Sequence, residues 1–340
     1  MNRFLDEAGT TPSADTDWFK ETTRTGFVQN YNLSVSSGTK KSSSFFSLGY
    51  YKNLGIIKNS DFDRISARVN TEYNLIGDIL KIGEHLTINR STQVSAPGGF
   101  LQNVLQFNPS IPVYTLDGNY GGPVGGYPDR NNPVAVLNRN KDNRYTYWRM
   151  FGDAYLNLNP FKGFNVRTTF GIDYSQMAQR IFTYPITEGN VANDKNAVEA
   201  KQEHWTKWMW NAIITYNLEI GKHRADFLLG TELNRQIDEW FSAYKEDFIV
   251  LNPTYMWPSA GTGTAQAYGG GGSFSLISFF GKANYSYDNR YLVSLTMRYD
   301  GSSRFGKNNR FAFFPSVSAG WRISQEKFMA EANSWLDDLK

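Results

Sequence analysis

The feature that most constrains this chain is a two-residue alternation of apolar and polar side chains, which recurs in eleven segments. In residues 64–74, Ile65, Ala67, Val69 and Tyr73 alternate with Arg64, Ser66, Arg68, Asn70 and Glu72. In 164–174, Phe164, Val166, Phe170, Ile172 and Tyr174 oppose Asn165, Arg167 and Asp173. Trp208, Trp210, Ala212, Ile214, Tyr216 and Leu218 oppose Lys207, Asn211, Thr215 and Asn217. Tyr291, Val293, Leu295, Met297 and Tyr299 oppose Ser294, Thr296 and Arg298. Successive strand side chains point to opposite faces, so this pattern specifies sheet with one apolar and one polar side. Weaker repeats fall at 27–36, 43–51, 80–89, 145–158, 225–234, 277–287 and 312–323. The segments run about 9–14 residues, whereas a common strand has about 5–6.

The connections alternate too. Residues 37–42, 76–79, 159–163, 219–222 and 288–289 are short, and 52–63, 90–144, 175–202, 235–275 and 301–311 are long. In an up-and-down antiparallel sheet this places every long loop at one end and every tight turn at the other. Two architectures give such a string: a soluble sandwich with its apolar faces packed together, and an outer-membrane barrel with those faces on lipid. Three features favour the barrel. The strands have the length a bilayer needs. The loop asymmetry matches short periplasmic turns and long extracellular loops. Aromatics close both ends of an apolar face, as Tyr291 and Tyr299 do. Eight residues span roughly 26 Å, or about 20 Å along the normal at a 40° tilt, close to the apolar band between aromatic girdles. Glu84 cuts against this, falling between Ile82 and Leu86 on the apolar side. A bulge, a position near the interface or a different register would each accommodate it.

Composition narrows the function classes. Phe, Tyr and Trp make up 16% of the 340 residues, and 30 Gly suit twisted strands and tight turns. Mean hydropathy is −0.49, and no apolar run reaches the roughly 18 residues of a spanning helix. Charge is nearly balanced, 35 basic against 32 acidic residues, with no basic block for nucleic acid. The absence of Cys excludes disulfides and thiolate chemistry. His85, His204 and His223 lie on separate segments with no metal-ligand spacing. The glycine runs at 121–126 and 261–272 match no phosphate loop, and no GxSxG occurs. No catalytic residue, metal site or cofactor is expected. The aromatics of the long loops are the better lead: Tyr114, Tyr120 and Tyr127 in one, Trp240, Tyr255 and Trp257 in another. Sugar rings stack their C–H faces on aromatic planes, and peptides suit such loops almost equally. The alternative is that these rings only pack the loops together. Residues 101–107 could form one short helix.

Residues 34–70 carry Ser34-Val35-Ser36 with Gly38, Ser47-Leu48-Gly49-Tyr50, Gly55-Ile56, Phe62-x-Arg64 and Arg68-x-Asn70. Further on come Asn132-Pro133-Val134-Ala135 and a long composite. The composite comprises Arg298, Asp300, Gly301, Ser302, Ser303, Arg304, Phe305 and Gly306, then Phe314-Pro315-Ser316, Gly320-Trp321-Arg322-Ile323-Ser324 and Glu326. Together these resemble the barrel of the SusC/RagA family of TonB-linked outer-membrane proteins. Departures are small: Ser37 stands where a second Gly is common, and Ile65 where an aromatic is. The composite reads as a barrel-building signature, with Asp300-Gly301 turning the chain, Gly306 at positive φ, and Pro315 at an edge, a bulge or a strand start. The resemblance implies an all-β, antiparallel up-and-down transmembrane barrel in the cell outer membrane. Eleven strands are about half of a 22-stranded transporter, so the chain is expected to be a partial one. Residues 1–26 lead into the barrel, and 27–340 form part of it, with extracellular loops at 90–144, 175–202 and 235–275. No signal peptide is visible, and the plug domain that contacts the TonB complex is absent from this stretch. The implied activity is uptake of oligosaccharides or peptides with a SusD-like lipoprotein over the extracellular mouth. The implied partners are outer-membrane lipid, that lipoprotein, the TonB complex and the substrate. A passive porin-like channel and a soluble carbohydrate-binding β-sandwich are the alternatives. A barrel needs detergent for extraction and exposes its end strands to aggregation, whereas a sandwich dissolves in buffer.

Overall fold

The computed structural model describes residues 14–125, 129–329, 336 and 338–340. Strands β1 (Phe27–Gly38), β2 (Ser42–Leu54), β3 (Asp61–Ile76) and β4 (Leu80–Val94) follow a short helix α1 (Trp18–Thr22). Helices α2 (Phe100–Gln106) and α3 (Pro133–Asn140) lie before β5 (Tyr145–Leu158) and β6 (Phe164–Thr183). A small hairpin, β7 (Ile186–Glu188) with β8 (Val191–Asn193), precedes β9 (Ala197–Ile220). The chain closes with β10 (His223–Glu246), β11 (Ala265–Tyr287), β12 (Tyr291–Ser302) and β13 (Phe311–Trp321). Without β7 and β8, these strands form one 11-stranded antiparallel sheet in sequence order. β1 pairs only with β2 and β13 only with β12, so the sheet is an open wall.

The expected alternation holds across strands. Leu33, Leu48, Ala67 and Ile88 form one row of register partners, and Leu229, Gly281 and Met297 belong to another. These rows face solvent, as does the neighbouring row of Ala283, Leu295 and Val317: Leu33, Leu229 and Val317 are 73%, 64% and 71% exposed. Val69, Ile172 and Leu295 are half-buried and Ile214 is exposed. Among the described residues no second layer covers this face, so they do not form the sandwich alternative. Stacked aromatics border it. Tyr287, Tyr291 and Trp321 run along the tight-turn end, with centroids 6.3 and 6.4 Å apart. Tyr31 stacks on Tyr50 at 6.4 Å toward the other end, and Phe170 and Trp208 stack at 6.3 Å farther down, within β6 and β9. Amphipathic rings of this kind suit the boundary between hydrocarbon and water.

Glu84 keeps its register and its face. Its row reads Ser37, Ser44, Thr71, Glu84. That row is polar over these four strands and continues as Ala154, Phe170 and Trp210, while Tyr73, Ile82 and Leu156 form an apolar row beyond it, so Glu84 stands inside the apolar face at the end of a polar stretch. The Thr71 hydroxyl donates to the Glu84 carboxylate.

Tight turns and long connections segregate as expected. Asp288 and Asn289 both take positive φ, 52° and 59°, the two-residue geometry that follows the strand twist. The long connections are shorter than the alternation implied, because strands run on past the apolar band. β6 reaches Thr183 and β9 begins at Ala197, while β10 reaches Glu246 and β11 begins at Ala265. The Gly269–Gly272 run therefore lies in β11, paired with Asp238–Phe241 of β10.

The signature composite is structural, with two corrections. Asp300 and Gly301 remain inside β12, where the Phe311 ring lies across Gly301. Gly306 does not take positive φ. Its carbonyl accepts from the Asn309 amide at 2.9 Å, so it opens a turn at a position that requires no left-handed backbone. Ser303 joins this turn to β11, its hydroxyl accepting from the Ser275 amide at 2.8 Å. Pro315 lies on the edge strand β13, where a missing N–H is tolerated. At the tight-turn end Glu326 accepts from the Tyr291 hydroxyl at 2.6 Å and the Trp321 indole at 3.2 Å. The Tyr291 hydrogen bond, the largest influence, holds the Glu326 carboxyl below its ordinary range.

Buried apolar side chains gather at the long-loop end instead of on the wall. Trp18, Phe100, Val104, Phe107, Ile111 and Leu137 pack α1, α2 and α3 into one small core. The expected helix at 101–107 is α2. α3 was not expected, although Asn132 caps it and Pro133 takes its first turn.

Candidate functional site

The polar face of the wall carries the charged chemistry. Glu72 on β3 accepts from the Tyr155 hydroxyl at 2.6 Å and pairs with Lys81 at 3.5 Å. The Arg167 guanidinium sits 4.0 Å from the Tyr155 ring centroid, a cation–π contact. His85 lies 3.2 Å from Asp153. Arg149 grips Asp173 through two bonds of 2.9 and 2.7 Å. Side chains from β3 to β6 thus line the inner face with paired polar and charged groups.

Gly83 makes that network possible. A Cβ there would stand 2.6 Å from the end of the Tyr155 ring, so the ring lies across the glycine to reach Glu72. An aromatic laid over a glycine on the next strand also pins register. Gly83→Ala is expected to lift the ring, break the Glu72 hydrogen bond and cost about 1–3 kcal/mol. Urea unfolding of the intact protein measures this. Adding Tyr155→Ala should remove most of the penalty, and an unchanged penalty in the double variant would show that the ring is not the cause.

Toward the long-loop end, two adjacent rows change character. One reads Tyr145, Gln179, Lys201, Ser242, Tyr268; the next reads Tyr147, Met177, Glu203, Trp240, Gly270. All ten share the face of Arg149 and Asp173, because register is continuous along these strands. Tyr145 and Tyr147 stack at 6.2 Å with planes 14° apart. Lys201 pairs with Glu203, and its ammonium lies 5.6 Å from the Trp240 ring centroid. The Glu203 hydrogen bond raises the Lys201 ammonium above its ordinary range. Met177, Gln179 and Ser242 are buried between these groups. The patch thus presents aromatic rings around one internally neutralised ion pair.

A family model for the TonB dependent receptor-like β-barrel matches residues 87–332. This chain belongs to that family. The SusC/RagA resemblance is borne out by its relatives. TonB-dependent receptor P3 of Formosa agariphila is 29% identical over 333 residues, covering 94% of this chain and 33% of its own length. TonB-dependent receptor SusC of Bacteroides thetaiotaomicron is 28% identical, covering 96% of this chain and 34% of its own length. The chain therefore spans about a third of the length of these curated relatives. The RagAB peptide importer in its 'open-open' state superposes with a TM-score of 0.77 at 23% identity, over 94% of this chain and 36% of that one. That likeness shows the fold: an open sheet here, part of a barrel there.

Within this segment of a TonB-dependent receptor-like barrel, the described residues among the six aromatics singled out by sequence do not form one site. Tyr114 and Tyr120 pack together at 5.2 Å, and the Asn138 amide donates to the Tyr120 hydroxyl at 2.8 Å. Tyr127 lies outside the described residues. Trp257 packs over Arg180, 4.0 Å from its guanidinium. Arg180 shares the face of Ile172, so Trp257 covers the outward side of the wall above the apolar band. A cavity of about 540 Å³ lies there, lined by Arg144, Arg180, Phe182, Phe241 and Trp257 among others. Burial pulls the Arg180 guanidinium below its ordinary range. Tyr255 is 63% exposed on the same loop. Of the five that are described, Trp240 alone lies on the inner face. Its neighbours Tyr145, Tyr147, Lys201 and Glu203 were not anticipated. The signal available was the odd-numbered run Glu199, Lys201, Glu203, Trp205, Lys207, which continues the polar face of 208–218. No group of three or more potential metal ligands occurs among the described residues.

Proposed function

We propose that this chain is wall and loops of a TonB-dependent outer-membrane importer for large nutrients, oligosaccharides or peptides. The observation that carries this reading is the contrast between the two faces. One is apolar, uncovered and bordered by aromatics; the other holds paired charges and hydrogen-bonding groups. Lipid on the first and a water-filled lumen on the second satisfy both. Relatives named as TonB-dependent receptors and a solved peptide importer of the same fold support the assignment. The remaining strands would pair with the free edges of β1 and β13, and a plug domain would receive the TonB complex. The packed loop end, with its three helices, would form part of the extracellular mouth, where a SusD-like lipoprotein would sit. No step in this function is enzymatic.

Uptake by intact cells tests this. Cells that depend on the full-length protein should lose uptake of labelled oligosaccharides or peptides on addition of a protonophore, and equally on deletion of tonB. Uptake that persists under both treatments would support the passive channel.

A further inference from the structure

We propose that the outward face of β9–β11, just above the apolar band, holds a binding site for the phosphoethanolamine headgroup of a lipid. This rests on the reading of the apolar face as the lipid-facing side of the wall. Along β10 the outward residues run Ala225, Phe227, Leu229, Thr231 and Leu233, then Arg235, Ile237, Glu239 and Phe241. The stretch from Ala225 to Arg235 covers about 33 Å of strand, or about 25 Å along the membrane normal at a 40° tilt. That is the height of the apolar band, so Arg235 stands where the hydrocarbon ends and Glu239 stands beyond it, in the headgroup layer. Beside them β11 runs as Gly269–Gly272 and Ser273, paired with Phe241 through Ile237. Glycine inside a strand marks a place where a ligand or another backbone comes close. β12 ends at Ser302, opposite Leu276, so this bare stretch of β11 is open on its far side. A cavity of about 800 Å³ lies over it, lined by His204, Arg235, Ile237, Glu239, Phe241 and Ser273 among others.

The charges of this trough select the occupant. Arg235 and Glu239 are exposed, and among the described residues neither side chain has an ion-pair or hydrogen-bond partner. A Cβ on Gly271 would stand 3.1 Å from Glu239 Cγ, so this side chain lies close over the bare strand. Cation below and anion above is the complement of a zwitterionic headgroup, whose phosphate lies next to the acyl chains and whose ammonium lies farther out. The Arg235 guanidinium fits phosphate oxygens, and the Glu239 carboxylate accepts from the ammonium. The two residues stand about 13 Å apart along the strand, a gap that their side chains and the headgroup between them fill. A phosphoglycerol headgroup offers Glu239 no positive charge, and a phosphocholine offers it no N–H. Below the trough Leu229, Phe279 and Met297 are exposed around Gly281, a shallow apolar track for an acyl chain.

Native mass spectrometry of the full-length protein in detergent tests this, with phosphatidylethanolamine, phosphatidylglycerol and phosphatidylcholine of identical acyl chains supplied together. Wild type should retain phosphatidylethanolamine about tenfold over each of the others, the step expected of one hydrogen bond to a charged group. Arg235→Gln should lower that retention about tenfold. Glu239→Gln should raise phosphatidylglycerol to the level of phosphatidylethanolamine, a change of selectivity that a purely structural role would not produce. Arg90→Gln should retain lipid as wild type. That arginine is also outward and exposed, beside Trp148 on β5, but has no glycine trough next to it. Soluble phosphoethanolamine, which lacks the acyl chains, should not displace the lipid. Heat-dependent gel mobility checks that each variant is folded. Equal retention of the three lipids, retention unchanged by Arg235→Gln, an equal loss on Arg90→Gln, or displacement by soluble phosphoethanolamine would each overturn the assignment. If brominated lipid tails still quenched a fluorophore at Leu295 in those cases, the lipid-facing reading would stand and only this headgroup site would fall.

Discussion

Leu295→Arg should block stable insertion of the protein, while Ser294→Arg one residue away should be tolerated. Leu295 lies midway between Tyr291 and Tyr299, which close the apolar face of β12 at its two ends. Its register partners are Ala283 and Val317, both on the outward side. A guanidinium there would sit near the bilayer midplane, which costs about 2–4 kcal/mol in a membrane barrel. Ser294 points to the opposite face, where it donates to Asn284 at 2.7 Å. Loss of that hydrogen bond costs about 1 kcal/mol, and the new charge stays in water. Folding yield into liposomes and the urea midpoint measure both variants. Equal losses for the two would mean that the faces do not meet different media.

The second large effect concerns the loop end. Glu188→Ala should unlock the packing of the β7–β8 hairpin against α3 while leaving the wall intact. The Glu188 side chain is fully buried, paired with Arg139 and accepting from the Asn132 amide at 2.7 Å. Asn132 in turn caps α3 and donates to the carbonyls of Val113 and Gly121, at 3.0 and 2.9 Å. One carboxylate thus ties three stretches of chain. Removing one partner of a buried ion pair leaves the other uncompensated, at about 3–5 kcal/mol. Amide hydrogen exchange should rise across 95–144 and 184–196 with the wall strands unchanged. Glu188→Gln, which keeps an acceptor for the Asn132 amide, should show a smaller rise. Exchange that rose evenly over the whole chain would show that this end is not an independent unit.

What the sequence made legible follows from where each face meets its medium. Within the apolar band the alternation is regular apart from Glu84, and β5 matches its expected bounds of 145–158. Above the band that signal fades. On β9, Lys201 and Glu203 alternate with Ala200, Gln202 and His204, so no apolar face remains to be read. The Gly269–Gly272 run has no side chains to alternate, and it looked like loop although β10 holds it in the sheet. Lys201 and Trp240 therefore fall in the expected loops 175–202 and 235–275, while Tyr145 and Tyr147 fall in the expected strand 145–158 with nothing local to mark them as a site. α3 had its signal in Asn132-Pro133, but only tertiary burial of Ala135 and Leu137 shows which face it packs. The ring of Tyr155 across Gly83 depends on a strand pairing between residues 72 positions apart, which no local pattern encodes.

The central claim is that hydrocarbon covers one side of this wall and water the other. The chain contains no Cys, so single cysteines can be placed cleanly within it. The most direct measurement places a fluorophore at Val69, Ile172 or Leu295, or at the inward Arg68, Asp173 or Thr296, in the full-length protein in liposomes. Brominated lipid tails should quench the first group and a water-soluble quencher the second. Aqueous quenching of both groups alike, with no effect of the brominated lipid, would contradict the account.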